Sequence, residues 1–255
     1  MLLNTVIISL NQFLPMALLW VLLLQCDIGP SLSRISVWRA VLYSSVAVTL
    51  FLAAAGSISQ WFDYRGLEVG KIVLLVGIYV SVLGVITSYK SGAYKLVAIT
   101  LASMLYLSHF VMYLGSYWGQ DAKQGLLIGS ILGLGICLSF CILLYFILAW
   151  LRTHHLQFLV LTLLACHSAS KIANAVDLSA QIDLLPSSKI AFDIRAWLDE
   201  HGIVGRILKS LFGYEASPSQ ANLVAFLSAL LLMGVVICWR VQVNTQEVVK
   251  ELEHD

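Results

Sequence analysis

Seven strongly apolar runs divide this chain, and each is long enough to cross a bilayer as a helix. They cover about residues 2–26, 37–56, 70–88, 96–118, 126–150, 156–176 and 221–240. A chain of 255 residues that is 60% hydrophobic, 11% charged and +0.89 in mean hydropathy carries more apolar surface than a soluble core can bury. The expected class is all-α: a polytopic membrane protein, one integral domain over residues 1–255, built as a seven-transmembrane-helix bundle. Its first partner is the lipid bilayer. A net charge of +1 gives no reason to expect nucleic acid. The first run is not a cleavable signal, because no basic segment precedes it and the apolar stretch is too long. No catalytic constellation is present, so an enzyme is not expected. The five cysteines (Cys26, Cys137, Cys141, Cys166, Cys238) fall in or at the ends of apolar runs and form neither a disulfide framework nor a thiolate metal motif.

Three of the runs carry polar residues at depth. In the first, Asn11, Gln12 and Pro15 interrupt an otherwise apolar stretch. Asn11 and Pro15 are one turn apart and share a face, and Pro15 removes the hydrogen-bond partner of the Asn11 carbonyl, so a kink is expected. Polar groups at that depth need protein or water to face. Two readings stay open: an amide contact that holds two helices together, or the wall of a central pathway. The fourth run has Tyr106, Ser108 and His109 near its centre, and the sixth has His167, Lys171 and Asn174. The polar breaks of the first and fourth runs predict that these two helices are neighbours near the bundle centre. Lys171 is expected to snorkel toward the following loop. The fifth run has Gly129, Gly133 and Gly135 for close helix contact.

The connections are short, with a turn signal at Gly29-Pro30, a polar link holding Asp63, Arg65 and Glu68, and basic residues Lys90 and Lys95 in another. His154 and His155 sit in the turn after the fifth run. Residues 177–220 form the one long hydrophilic segment. Within it, residues 190–212 place Ile190, Ile194, Trp197 and Leu198 at helical spacing, which predicts an amphipathic helix on the bundle or at the interface before the last span. Seven spans put the termini on opposite sides. Arg34, Arg39, Lys90, Lys95, Arg152, Arg240 and Lys250 gather on one side, which predicts an outside N-terminus and a cytoplasmic C-terminus in a bacterial inner (plasma) membrane.

The stretches Lys189-Ile190-Ala191-Phe192-Asp193 and Leu211-Phe212-Gly213-Tyr214-Glu215-Ala216-Ser217-Pro218-Ser219 precede the last span. Together with the span order and the glycine-rich fifth span, they resemble the oxidase-dependent iron permeases, the fungal high-affinity iron permease and the bacterial EfeU type. The resemblance covers nearly the whole chain. It implies a role in iron uptake, with iron as the transported ion and no resident cofactor. It also implies a periplasmic or extracellular ferroxidase or iron-binding protein as a partner. That family carries Arg-Glu-Gly-Leu-Glu in its first and fourth spans. Paired carboxylates on facing helices suit ferric iron, a hard acid. Here the corresponding stretches are Asn11-Gln12-Phe13-Leu14-Pro15 and Tyr106-Leu107-Ser108-His109-Phe110, and neither holds an acid.

The resemblance makes Asn11, Gln12, Tyr106, Ser108 and His109 the pathway candidates. Glu68 matches an acidic residue at the mouth of the third span; Glu68, His109 and His167 are the candidate metal contacts. Two further roles stand beside transport: a non-conducting subunit of a larger membrane complex, or a redox subunit with His109 and His167 as axial haem ligands.

Overall fold

The computed structural model describes residues 2–26, 34–88, 91–118, 123–154, 156–186, 188–200 and 202–254. The Gly29-Pro30 turn, Lys90 and His155 lie outside them. The described residues form α1 (Leu2–Gln25), α2 (Arg34–Ser59), α3 (Trp61–Tyr64), α4 (Gly66–Thr87), α5 (Ser91–Tyr117), α6 (Lys123–Thr153), α7 (Gln157–Gln181), α8 (Ile203–Phe212) and α9 (Gln220–His254). Seven of these are long and apolar enough to span a membrane: α1, α2, α4, α5, α6, α7 and α9. The single turn α3 is a left-handed corner, with Phe62, Asp63 and Tyr64 all at positive φ.

The helix α1 lies at the centre, packed on α5, α6, α7 and α8. It stays one helix through Pro15. Its second half is the densest part of the core, where Leu18, Leu19, Leu22 and Leu23 have no exposed surface. The rest of the buried core is as apolar: Ile78 and Val82 of α4, Ile99 and Ala102 of α5, Leu164 of α7. The expected pairing of the first and fourth spans is present, and the Phe13 and Phe110 rings meet edge to face with centroids 4.6 Å apart. On the outside the hydrophobic pattern inverts. Ile131, Leu138 and Phe146 of α6 and Leu231 and Val235 of α9 are more than half exposed. A surface this apolar has lipid as its solvent, so the chain is an integral, multi-pass membrane protein.

Three sequence expectations change on contact with the structure. Lys95, counted above as a loop charge, lies inside α5 with 2% of its surface exposed. Its ammonium donates to the Cys26 carbonyl at 3.3 Å, closing the C-terminal end of α1 where the helix dipole favours a cation. Gly129 and Gly133 face α1, but Gly135 faces open space, with no atom within 4 Å of where its Cβ would be. The amphipathic helix before the last span is α8, and it begins only at Ile203.

Upstream of α8 the chain is not helical. Ile190 bridges Ser219, the Ala191 amide donates to the Pro218 carbonyl at 2.9 Å, and the Ile194 amide donates to the Ala216 carbonyl at 2.9 Å. At Asp193 the carboxylate takes the Arg195 backbone amide at 3.0 Å, a local turn bond that competes with helix. Trp197, which helical spacing placed on the apolar face of that helix, is 92% exposed.

Candidate functional site

The polar residues of the spans converge on one vestibule at the end of the bundle where α1 begins. It has two adjoining chambers, of about 350 and 330 Å³, which share Tyr106, Asn174 and Lys209. The first is walled by Gln12 of α1, Lys71 of α4, His109 of α5 and Asp177 and Gln181 of α7, with Glu215 above. The second is walled by Asn11 and Pro15 of α1 and Ser170 and Lys171 of α7, and closed by Glu200, Arg206 and Ser210. The bend in polarity at Asn11-Gln12-Pro15 therefore faces a cavity and not a single helix contact. Below it lies the dry Leu18–Leu23 layer.

The roof is the segment around α8. It is tucked into the bundle between α1 and α7, since Arg206 and Ser210 share a chamber wall with Asn11. Asn11 is roughly 14 Å along α1 from its start at about 1.5 Å per residue. Two contacts pin α8 there. The Ser210 carbonyl faces His167 Nδ1 at 2.8 Å, and Gly213, at φ +73°, ends the helix directly on Ser170. A Cβ at Gly213 would sit 2.2 Å from the Ser170 Cβ, so both the left-handed turn and the close approach require glycine here.

Lys171 does not snorkel out to the loop. It is 2% exposed, donates to the Tyr106 hydroxyl at 2.9 Å, and lies 5.4 Å from the centre of that ring. Lys209 of α8 is held by Glu200 and, at 3.5 Å, by Glu215. Burial alone would lower the Lys209 pKa, but these two carboxylates outweigh it and the net shift is upward. The Glu215 carboxyl is pushed up by burial and by Asp177, against the pull of Lys209. Asp177 accepts from the Asn222 amide and from Ser219 at 3.3 Å, which ties α7 to the start of α9.

In total four cations (Lys71, Lys171, Arg206, Lys209) face three carboxylates (Asp177, Glu200, Glu215). Two of the acids are spent on one lysine. Lys171 and Arg206 form no ion pair among the described residues. Glu68 acts as a fourth acid on Lys71 and His109, so the positive excess is local. The second chamber holds Lys171 and Arg206 while its one carboxylate, Glu200, is bound to Lys209, which suits an anionic or polar neutral group.

Four of the five sequence-derived pathway candidates line the vestibule: Asn11, Gln12, Tyr106 and His109. Ser108 does not. It is fully buried and its hydroxyl donates to the Leu105 carbonyl of its own helix at 3.2 Å. His167 is also fully buried and lines neither chamber; its Nε2 has no partner among the described residues. Glu68 is on the first turn of α4, outside both linings. No group of three His, Cys, Asp or Glu able to hold a metal ion occurs among the described residues.

Sequence reasoning missed Arg206, Lys209, Glu200 and Glu215. The signal available was Arg206 and Lys209, three residues apart on the polar side of α8. Their placement inside the bundle is a tertiary fact that no local pattern carries.

Comparison with protein-family models, curated proteins and solved structures returns no match for this chain.

Proposed function

We propose that this chain is a divergent membrane protein of the iron-permease type, acting in metal uptake, whose vestibule takes its cargo as a small anionic complex and not as a bare cation. The observation that carries the reading is the charge in the chamber: Gln12 and Pro15 stand where the resemblance expects acids, and Lys171 and Arg206 face the same space without carboxylate partners. A bare trivalent ion about 5 Å from one ammonium is repelled by roughly 10 kcal/mol at an effective dielectric of about 20. Amides bring no charge to offset that or the loss of the hydration shell. A metal wrapped in carboxylate or hydroxamate ligands reverses the sign, and the same cations then attract it. The vestibule face is the outer face in this proposal, with the N-terminus outside a bacterial plasma membrane.

The test is uptake by the purified protein in proteoliposomes. Radioactive iron is supplied either as ferrous ion or as ferric citrate. Uptake of the citrate complex, lost in Lys171→Met with Arg206→Gln, supports the reading. Uptake of ferrous ion that survives both substitutions overturns it. The closed apolar layer below the vestibule favours one second reading, a binding subunit that does not conduct. Saturable binding of ferric citrate without uptake would select it.

A further inference from the structure

A third cavity, of about 380 Å³, opens on the flank of the bundle between α1, α6 and α8. Val6, Leu10 and Leu14 of α1, Ile136 and Phe140 of α6 and Ile207 of α8 give it an almost wholly apolar lining. Ile136 is 51% exposed, so the cavity meets the lipid-facing surface. Its few polar groups are Asn11, Arg206 and Ser210, and these same three residues also line the second chamber of the vestibule. The flank cavity and the polar chamber therefore share one seam, and a guanidinium stands in it.

We propose that this cavity binds one anionic phospholipid of the surrounding membrane, its acyl chain between α1 and α6 and its phosphate on Arg206. An apolar space of this size does not hold ordered water, and protein interiors are otherwise close-packed. Hydrocarbon is the filling that a bilayer supplies. Arg206 sets the sign of the head. It pairs with no carboxylate among the described residues, whereas Lys209, one turn on, has two. A guanidinium at a lipid-facing seam is costly alone and suits a phosphate, which it meets with two parallel hydrogen bonds. This proposal rests on the flank cavity and not on the cargo of the vestibule; Arg206 lines both spaces, so the lipid readout and not uptake decides it.

The test is native mass spectrometry of the full-length protein released from nanodiscs that contain equal amounts of dioleoyl phosphatidylglycerol and dioleoyl phosphatidylcholine. The wild type is expected to retain one phosphatidylglycerol, preferred by roughly five- to tenfold, the scale of one basic residue acting on an anionic lipid. Arg206→Gln should lose the preference and Arg206→Lys should keep most of it. Ile136→Trp fills the cavity from the lipid side without touching the core and should lose the retained lipid of either kind. Retention without headgroup preference in the wild type overturns the proposal. So does a preference that survives Arg206→Gln, or retention that survives Ile136→Trp in a protein that still elutes as a monodisperse peak.

Discussion

Replacing Gly133 and Gly135 in turn by alanine separates helix propensity from helix packing two residues apart on the same helix. Each change removes a glycine from a helix interior, which by itself stabilises by roughly 0.8–1 kcal/mol. At Gly135 nothing opposes the gain, because no atom lies within 4 Å of the new methyl. At Gly133 the methyl would stand 2.5 Å from the Ser9 Cβ and 3.2 Å from the Val6 carbonyl oxygen. Carbon atoms at rest are about 3.5–4.0 Å apart, so α1 and α6 must separate by about 1 Å. Overpacking of this kind costs roughly 1–3 kcal/mol. The net expectation is a loss of up to about 2 kcal/mol at Gly133 and a gain just under 1 kcal/mol at Gly135. Thermal unfolding in detergent, followed by size-exclusion chromatography of the heated samples, reads both. Ser9→Gly removes the clashing carbon and should recover most of the Gly133→Ala loss, a coupling that a double-mutant cycle isolates. Equal shifts at the two glycines, or no rescue by Ser9→Gly, would refute the assignment of the α1–α6 seam.

Tyr106→Phe removes the hydroxyl that Lys171 donates to and should destabilise by roughly 1–3 kcal/mol, with Lys171→Met restoring stability in that background, as read by the same melts. The raised pKa of Lys209 means that its ion pairs contribute below its unfolded value of 10.5 and fade as pH rises beyond that. The wild type should therefore lose thermal stability above about pH 10.5 more steeply than Lys209→Met does. Gln12→Glu alone should not create uptake of ferrous ion, because Pro15 and Lys171 remain; strong ferrous uptake by that variant would show that charge at one position is enough.

The spans were legible because length and hydropathy act locally, and a bilayer admits few alternatives to a helix. The meeting of α1 and α5 was legible for a related reason: polar groups at depth must find each other or shared water. Spacing failed where two structures use the same pattern. Ile190, Ile194 and Trp197 recur at helical intervals, yet the backbone around Ile190 and Ile194 pairs with residues 216–219, the Trp197 amide closes a turn on the Ile194 carbonyl, and the turn at Asp193 blocks the helix. Lys95 reads as a loop charge by position, and only the end of α1 lying beside it reveals a cap. Ser108 and His109 are adjacent in sequence and diverge in role because successive helical residues point about 100° apart, one into the core and the other into the vestibule.

The vestibule itself was half legible, and the missing half decides its chemistry. From the spans alone the site is a ring of amides, a phenol, an imidazole, Lys71, Lys171 and one acid, Asp177. The α8 segment changes that inventory by bringing Glu200 and Glu215 down to the level of the polar chambers, but it brings Lys209 and Arg206 with them. Its acids close on its own lysine, so they stabilise the roof and leave the field of the chamber to Lys171 and Arg206. A cation site cannot then be built by adding acids to α1 alone. Two cations from α7 and α8 would pair with the new carboxylates first, and a metal would compete with ion pairs already formed inside the protein. Under the proposed function, cation binding calls for removing Lys171 and Arg206 together with placing acids at Gln12 and Pro15, so the roof segment would set the preference of the chamber as much as the spans do.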